Sequence, residues 1–65
     1  MEKTYKEMYT EAAYAINEND GYYRGYTKGN AMSLYVYDEY DVNAADNSTA
    51  HDALCDAAYL LEEGV

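Results

Sequence analysis

The stretch Leu34-Tyr35-Val36-Tyr37-Asp38-Glu39-Tyr40-Asp41-Val42 decides how the rest of the chain is read. Its aromatic and branched residues are those enriched in strands, and their alternation predicts a strand from Ala31 to about Asp38, reaching Val42 if the pairing continues. Such a strand sets Met32, Leu34, Val36, Tyr40 and Val42 on one face and Tyr35, Tyr37, Glu39 and Asp41 on the other. The first face builds a core; the second displays tyrosines and carboxylates.

Upstream, Lys28-Gly29-Asn30 reads as the hairpin turn, and Gly21-Tyr22-Tyr23-Arg24-Gly25-Tyr26-Thr27 as the preceding strand, with glycines marking twist or a bulge. Before it, Thr4-Tyr5-Lys6-Glu7 has the form of a capping box, and Tyr5, Met8, Tyr9, Ala12, Ala13 and Ile16 follow at helical spacing. These predict an amphipathic helix over 4–18, ended near Asn19 or Gly21. Downstream, 43–49 is a small polar connection in which Ala44-Ala45 has room for one helical turn. A last helix is predicted over 50–63, with Thr49 as N-cap, Asp52 completing its box and Gly64 as C-cap. Ala50, Ala53, Leu54, Ala57, Ala58 and Leu61 form its apolar stripe.

Thr4/Thr49, Glu7/Asp52, Glu11/Asp56 and Tyr14/Tyr59 match when the two helices are superposed, a convergence of capped amphipathic patterns. Each helix then carries an outward acid pair at i, i+4 and a tyrosine off its apolar stripe. The expected fold is α+β: helix, antiparallel hairpin with or without a third short strand, helix, the two helices on one face of the small sheet.

A chain of 65 residues makes one domain, near the lower limit for burying a self-sufficient core. Disulfides cannot assist, because Cys55 is the single cysteine, and with His51 it offers too few ligands for a structural zinc site within one chain. Phe and Trp are absent while Tyr occurs ten times, so most large apolar contacts bring a hydroxyl that needs water or a partner. A core this small cannot satisfy ten of them, and several tyrosines are expected half-exposed.

Thirteen acids against four bases give a net charge of −9. All four bases, Lys3, Lys6, Arg24 and Lys28, lie in the first 28 residues, and the rest of the chain holds eight acids and no Lys or Arg. Such a field repels nucleic acid and anionic membrane. Tyr22, Tyr23, Arg24, Tyr26 and Lys28 interleave rings with bases as a single-strand binder does, but phosphate neutralisation against this net charge is unfavourable, and Arg24 and Lys28 are expected to pair with the protein's own acids. No signal-like segment and no apolar run of membrane length is present, and a cytoplasmic protein is expected.

His51 and Cys55 stand one helical turn apart, the spacing of a base and a nucleophile. Asp52 and Asp56 flank them and oppose thiolate formation, so a packed or half-buried structural cysteine is expected, and no enzyme. Asp38, Glu39, Asp41, Asn43 and Asp46 supply oxygen ligands but lack the glycine and bidentate acid of a calcium loop. They read as a solvated acidic edge, with no metal and no cofactor.

Negative charge at ordered spacing remains. Glu39 and Asp41 on one strand face stand about 6.8 Å apart, and Glu7/Glu11 or Asp52/Asp56 about 6 Å apart along a helix. A DNA strand carries a charge every ~3.4 Å, so such acids match alternate phosphates. In size, one-signed charge and tyrosine content the whole chain resembles the small acidic proteins that bacteriophages and mobile elements encode against host nucleic-acid enzymes: DNA mimics, antirestriction proteins and anti-CRISPR proteins. The resemblance lies in no motif and carries over no residue. It implies a stoichiometric inhibitor in the host cytoplasm whose partner is a basic nucleic-acid-binding protein such as a defence nuclease, the inhibitor itself being a monomer or weak homodimer. From the residues themselves, the partner-binding surface is expected at Tyr35, Tyr37, Asp38, Glu39, Tyr40, Asp41, Asp46, Asp52, Asp56 and Tyr59. The competing expectation is a small acidic adaptor or homodimeric interaction module without mimicry.

Overall fold

Thr4 caps the first helix as its spacing from Glu7 predicts. In the computed structural model, which describes residues 3–63 with the side chains of 3–61, the Glu7 amide donates to Thr4 Oγ1 at 3.2 Å and the Thr4 amide donates to Glu7 Oε1 at 2.9 Å. Helix α1 (Tyr5–Glu18) buries Tyr9, Ala12, Ala13 and Ile16, the expected stripe, with Tyr5 and Met8 packed partly against it. Its end turns through Asp20 and Gly21, both at positive φ (59° and 86°), while the Asn19 and Gly21 amides donate to the Ile16 carbonyl. Glycine adopts that conformation without the steric cost other residues meet.

The hairpin is shorter than expected and turns earlier. Strands β1 (Tyr22–Tyr23) and β2 (Tyr26–Thr27) pair antiparallel, with Tyr22 opposite Thr27 and Tyr23 opposite Tyr26. The two-residue loop is Arg24-Gly25, both at positive φ (49° and 86°), as a turn matched to the strand twist requires. The turn expected at Lys28-Gly29-Asn30 is instead the beginning of a helix.

The return strand expected from Ala31 is also a helix, α2 (Lys28–Tyr40). Alternation over 32, 34 and 36 is real, but the residues that enter the core are Ala31, Met32 and Val36, with Tyr35 and Tyr40 packed against it. That spacing is one face of a 3.6-residue period. Its 13 residues also exceed the usual five or six of a strand. Strand propensity of Tyr and Val is a weak term beside the burial of a whole face between two other helices. Asp41, in the left-handed conformation (φ 57°, ψ 36°), ends the helix with its amide donating to the Tyr37 carbonyl at 2.9 Å.

The 42–47 connection makes a turn at 44–46, buries Ala44 and leads into α3 (Ser48–Glu63). The cap is Asn47 rather than Thr49: Asn47 Oδ1 accepts from the Ala50 amide at 3.1 Å, two residues earlier than the threonine box predicts. Gly64, expected as C-cap, lies outside the described residues. Ala50, Ala53 and Ala57 are buried, and Leu54, Ala58, Leu60 and Leu61 pack partly against the core. α3 runs in the same direction as α1, since Asn47 Nδ2 donates to Tyr5 Oη at 3.0 Å and the groove farther on is bordered by Tyr14 and Leu60.

The class is therefore α+β, three helices with a two-stranded antiparallel hairpin that α1 and α2 contact, while α3 packs on α1 and α2. Small alanine faces let the helices approach closely around Tyr9, Ile16, Met32 and Val36, the largest fully buried side chains. A radius of gyration of 10.4 Å agrees with the ~11 Å expected of a folded chain this long. No described helix is long and apolar enough to cross a membrane.

Candidate functional site

Ten tyrosines divide into an inner and an outer set, and the division sorts the acids as well. Tyr14, Tyr22, Tyr26, Tyr37 and Tyr59 are about half exposed, Tyr59 most at 58%. The others are tied to the fold, four of them through their hydroxyls. Tyr35 and Tyr40 on α2 both donate to the Glu11 carboxylate on α1, at 2.9 Å and 2.8 Å. Lys3 pairs with the same carboxylate and donates to Tyr40 Oη at 3.1 Å, with its ammonium over the Tyr40 ring. Tyr23 Oη and Arg24 Nη1 each donate to Asp38 Oδ2 at 2.9 Å, and the Tyr23 ring meets Tyr35 edge-on at 5.4 Å. Tyr5 accepts from Asn47. Tyr9 is fully buried and its hydroxyl has no partner among the described residues.

Electrostatics follow the hydrogen bonds. The Lys3 ammonium first, then the Tyr40 hydroxyl, hold the Glu11 carboxyl below the usual carboxylate range. The Arg24 guanidinium and then the Tyr23 hydroxyl do the same for Asp38. Burial, followed by its hydrogen bond to Glu11, pushes the Tyr35 phenol up to about 12. These are structural clasps between α1 and α2 and between the hairpin and α2.

Tyr35, Tyr40 and Asp38 thus make hydrogen bonds to other elements, and Asp46 accepts from Asn43 Nδ2 at 3.3 Å within its own turn. Tyr37, Glu39, Asp41, Asp46, Asp52, Asp56 and Tyr59 are exposed. The ion pairs among the described residues are Lys3–Glu11 and Arg24–Asp38, so none engages Glu39, Asp41, Asp46, Asp52 or Asp56. Arg24 pairs as expected; Lys28 makes no ion pair among the described residues. Because α2 is helical and Asp41 is its left-handed cap, Glu39 and Asp41 are not aligned along a strand, and the strand geometry behind their expected ~6.8 Å spacing is absent. Glu11 likewise turns inward, which leaves Asp52/Asp56 as the exposed helical acid pair.

That pair borders an open groove of ≈ 950 Å³ between α1 and α3. Lys3 and Lys6 line it from the α1 side and Asp52 and Asp56 from the α3 side, with Tyr5, Met8, Tyr40 and Ala53 between them. Tyr40, near the end of α2, brings the neighbourhood of Glu39 and Asp41 to the same end of the molecule. The sequence reading missed Lys6, Tyr5 and Met8 here; the parallel placement of α1 and α3 that joins them to Asp52 is a tertiary fact.

Cys55 is exposed, not packed, and its Sγ lies 3.7 Å from His51 Nδ1. Among the described residues no group of three His, Cys, Asp or Glu is placed to hold a metal ion. Comparison with protein-family models, with curated proteins and with solved structures returned no match.

Proposed function

We propose that the chain is a stoichiometric protein-binding inhibitor that sets its exposed acids against the basic groove of a nucleic-acid-handling protein, as a phage or mobile-element anti-defence protein of the anti-CRISPR or antirestriction type does. The observation that carries the reading is the set Glu39, Asp41, Asp46, Asp52 and Asp56, exposed carboxylates that no basic side chain among the described residues neutralises. A field of one sign steers a basic partner into encounter, and aromatic anchors then supply buried contact. Tyr37 and Tyr59 are the exposed rings among the expected contact residues. With the molecule spanning 26 × 22 × 21 Å, the acids fall within the length of less than one ~34 Å turn of duplex DNA. Asp52/Asp56, about 6 Å apart, keep the spacing of alternate phosphates.

The test is capture from a bacterial lysate on the immobilised chain, followed by elution with duplex DNA at constant salt. The proposal expects nucleic-acid-binding proteins that DNA displaces. It also expects none retained by Glu39→Gln/Asp41→Asn/Asp52→Asn/Asp56→Asn, with an unchanged circular dichroism spectrum. A captured protein that holds DNA and the chain together, and holds the amide variant equally well, refutes mimicry and leaves an adaptor.

A further inference from the structure

Tyr14 on α1 and Tyr59 on α3 lie off the apolar stripes of their helices and take no part in the clasps that hold the fold. They are 51% and 58% exposed, and both border one open groove of ≈ 600 Å³ along the seam of the two helices. Among the described residues the ring–ring contact is Tyr23–Tyr35, so Tyr14 and Tyr59 do not stack on each other. Ala57, buried in the seam, borders the groove with only a methyl group, which leaves room for an incoming side chain.

Asp56 borders the same groove, and neither ion pair among the described residues engages it. Its counterpart on α1, Glu11, is taken up by Lys3, Tyr35 and Tyr40, so Asp56 is the acid left facing outward. Asp56 precedes Tyr59 by three residues, ~4.5 Å along the helix axis, whereas Lys6 precedes Tyr14 by eight, ~12 Å along its own. Charges are screened over ~8 Å at physiological ionic strength, so at the tyrosine end of the groove the acid outweighs the base. Asp56 also borders the larger groove with Asp52, which makes the two spaces continuous and extends the negative wall.

Two ring faces and a carboxylate around an open slot complement a cation. A ring attracts a cation held within about 6 Å of its centre, and a guanidinium satisfies both partners at once: its plane stacks on the rings while its N–H edge donates to the carboxylate. An ammonium is a hydrated point charge without that planar fit. An anion is repelled by Asp56 and by the net −9 of the chain.

We infer that Tyr14, Tyr59 and Asp56 form a slot for an arginine side chain projecting from the basic partner, an assignment that rests on the inhibitor reading for the source of that arginine. The slot sets the α1/α3 seam against the partner and gives Tyr14, outside the expected contact residues, a place in the interface.

The probe is N-acetyl-arginine amide, titrated into the isotopically labelled full chain and followed by nuclear magnetic resonance, with N-acetyl-citrulline amide as a neutral compound of the same shape. Expected are saturable shifts at the Tyr14 and Tyr59 rings and at Asp56, with the citrulline compound binding about tenfold more weakly or not at all. Tyr14→Leu, Tyr59→Leu and Asp56→Asn should each weaken the arginine compound about two- to fivefold, the usual worth of one exposed cation–ring or ionic contact. Tyr14→Phe and Tyr59→Phe should retain it, and circular dichroism should be unchanged throughout because all three side chains are exposed. Equal binding of citrulline, shifts spread over the other acids instead of the slot, or leucine variants that bind like the parent would overturn the inference. Capture from a bacterial lysate separates it from the inhibitor reading. Proteins that DNA displaces but that the Tyr14→Leu/Tyr59→Leu chain retains equally well would sink the slot and leave the reading standing, whereas slot-dependent capture of proteins indifferent to DNA would support the slot and sink the reading.

Discussion

At the scale of single residues, Glu11 carries more of the fold than any other acid. Its carboxylate receives Lys3 from its own helix's approach and Tyr35 and Tyr40 from α2, which ties the two elements by charge-assisted bonds. Glu11→Ala should cost roughly 1–3 kcal/mol in chemical denaturation, the usual range when such partners are orphaned. Asp56→Ala, exposed and outside any ion pair, should stay within about 0.5 kcal/mol. The pH dependence follows from the depressed carboxyls of Glu11 and Asp38. A folded pKa below the unfolded value means that the contribution is fully present above the unfolded carboxylate range of about 4 and is lost as pH falls through the folded values. Acid unfolding should therefore lose its Glu11-dependent part in the Glu11→Gln variant, checked by denaturation midpoints at neutral and acidic pH. Tyr9 presents the opposite case, a buried hydroxyl with no partner among the described residues. Removing an unsatisfied polar group relieves a desolvation cost, so Tyr9→Phe should stabilise by about 1 kcal/mol and raise the melting temperature.

At the scale of elements, caps and turns separate local from tertiary control. Thr4→Ala and Asn47→Ala should each destabilise by roughly 0.5–2 kcal/mol, while Thr49→Ala should change little, since Asn47 holds the cap bond of α3. Equal losses at Thr49 and Asn47 in thermal melts would reverse the assignment. Gly25 sits at φ 86° with open space around the position of a side chain, so Gly25→Ala meets a backbone cost alone, about 1–2 kcal/mol. α1 was legible because its cap, stripe and terminator all lie within one contiguous segment and agree. α2 was not, because Met32, Leu34 and Val36 satisfy a two-residue period while Ala31, Met32, Tyr35, Val36 and Tyr40 satisfy a helical one. The length of the run and the absence of a breaker between Ala31 and Tyr40 were the available signals for a helix.

At the scale of the whole molecule, the two ion pairs among the described residues leave most of the acids to repel one another across a body 26 Å long. Raising the ionic strength from about 10 mM to about 150 mM shortens the screening length from ~30 Å to ~8 Å, so the melting temperature of the free chain should rise with salt. The four-amide variant should melt higher than the parent at low salt for the same reason, even as it loses its partner. A melting temperature that falls with salt would mean that the internal clasps outweigh the self-repulsion. Chain composition and local spacing determined the net negative charge, the half-exposed tyrosines and the Thr4-capped first helix, because net charge, hydroxyl satisfaction and capping depend on residue type and near neighbours. Tertiary structure alone decided that 28–40 is a helix, that Glu11 and Asp38 turn inward to tyrosine hydroxyls, and that Lys6 and Asp52 face one groove. Each of these rests on contacts between segments distant in sequence, where burial of a whole face outweighs the preference of any residue within it.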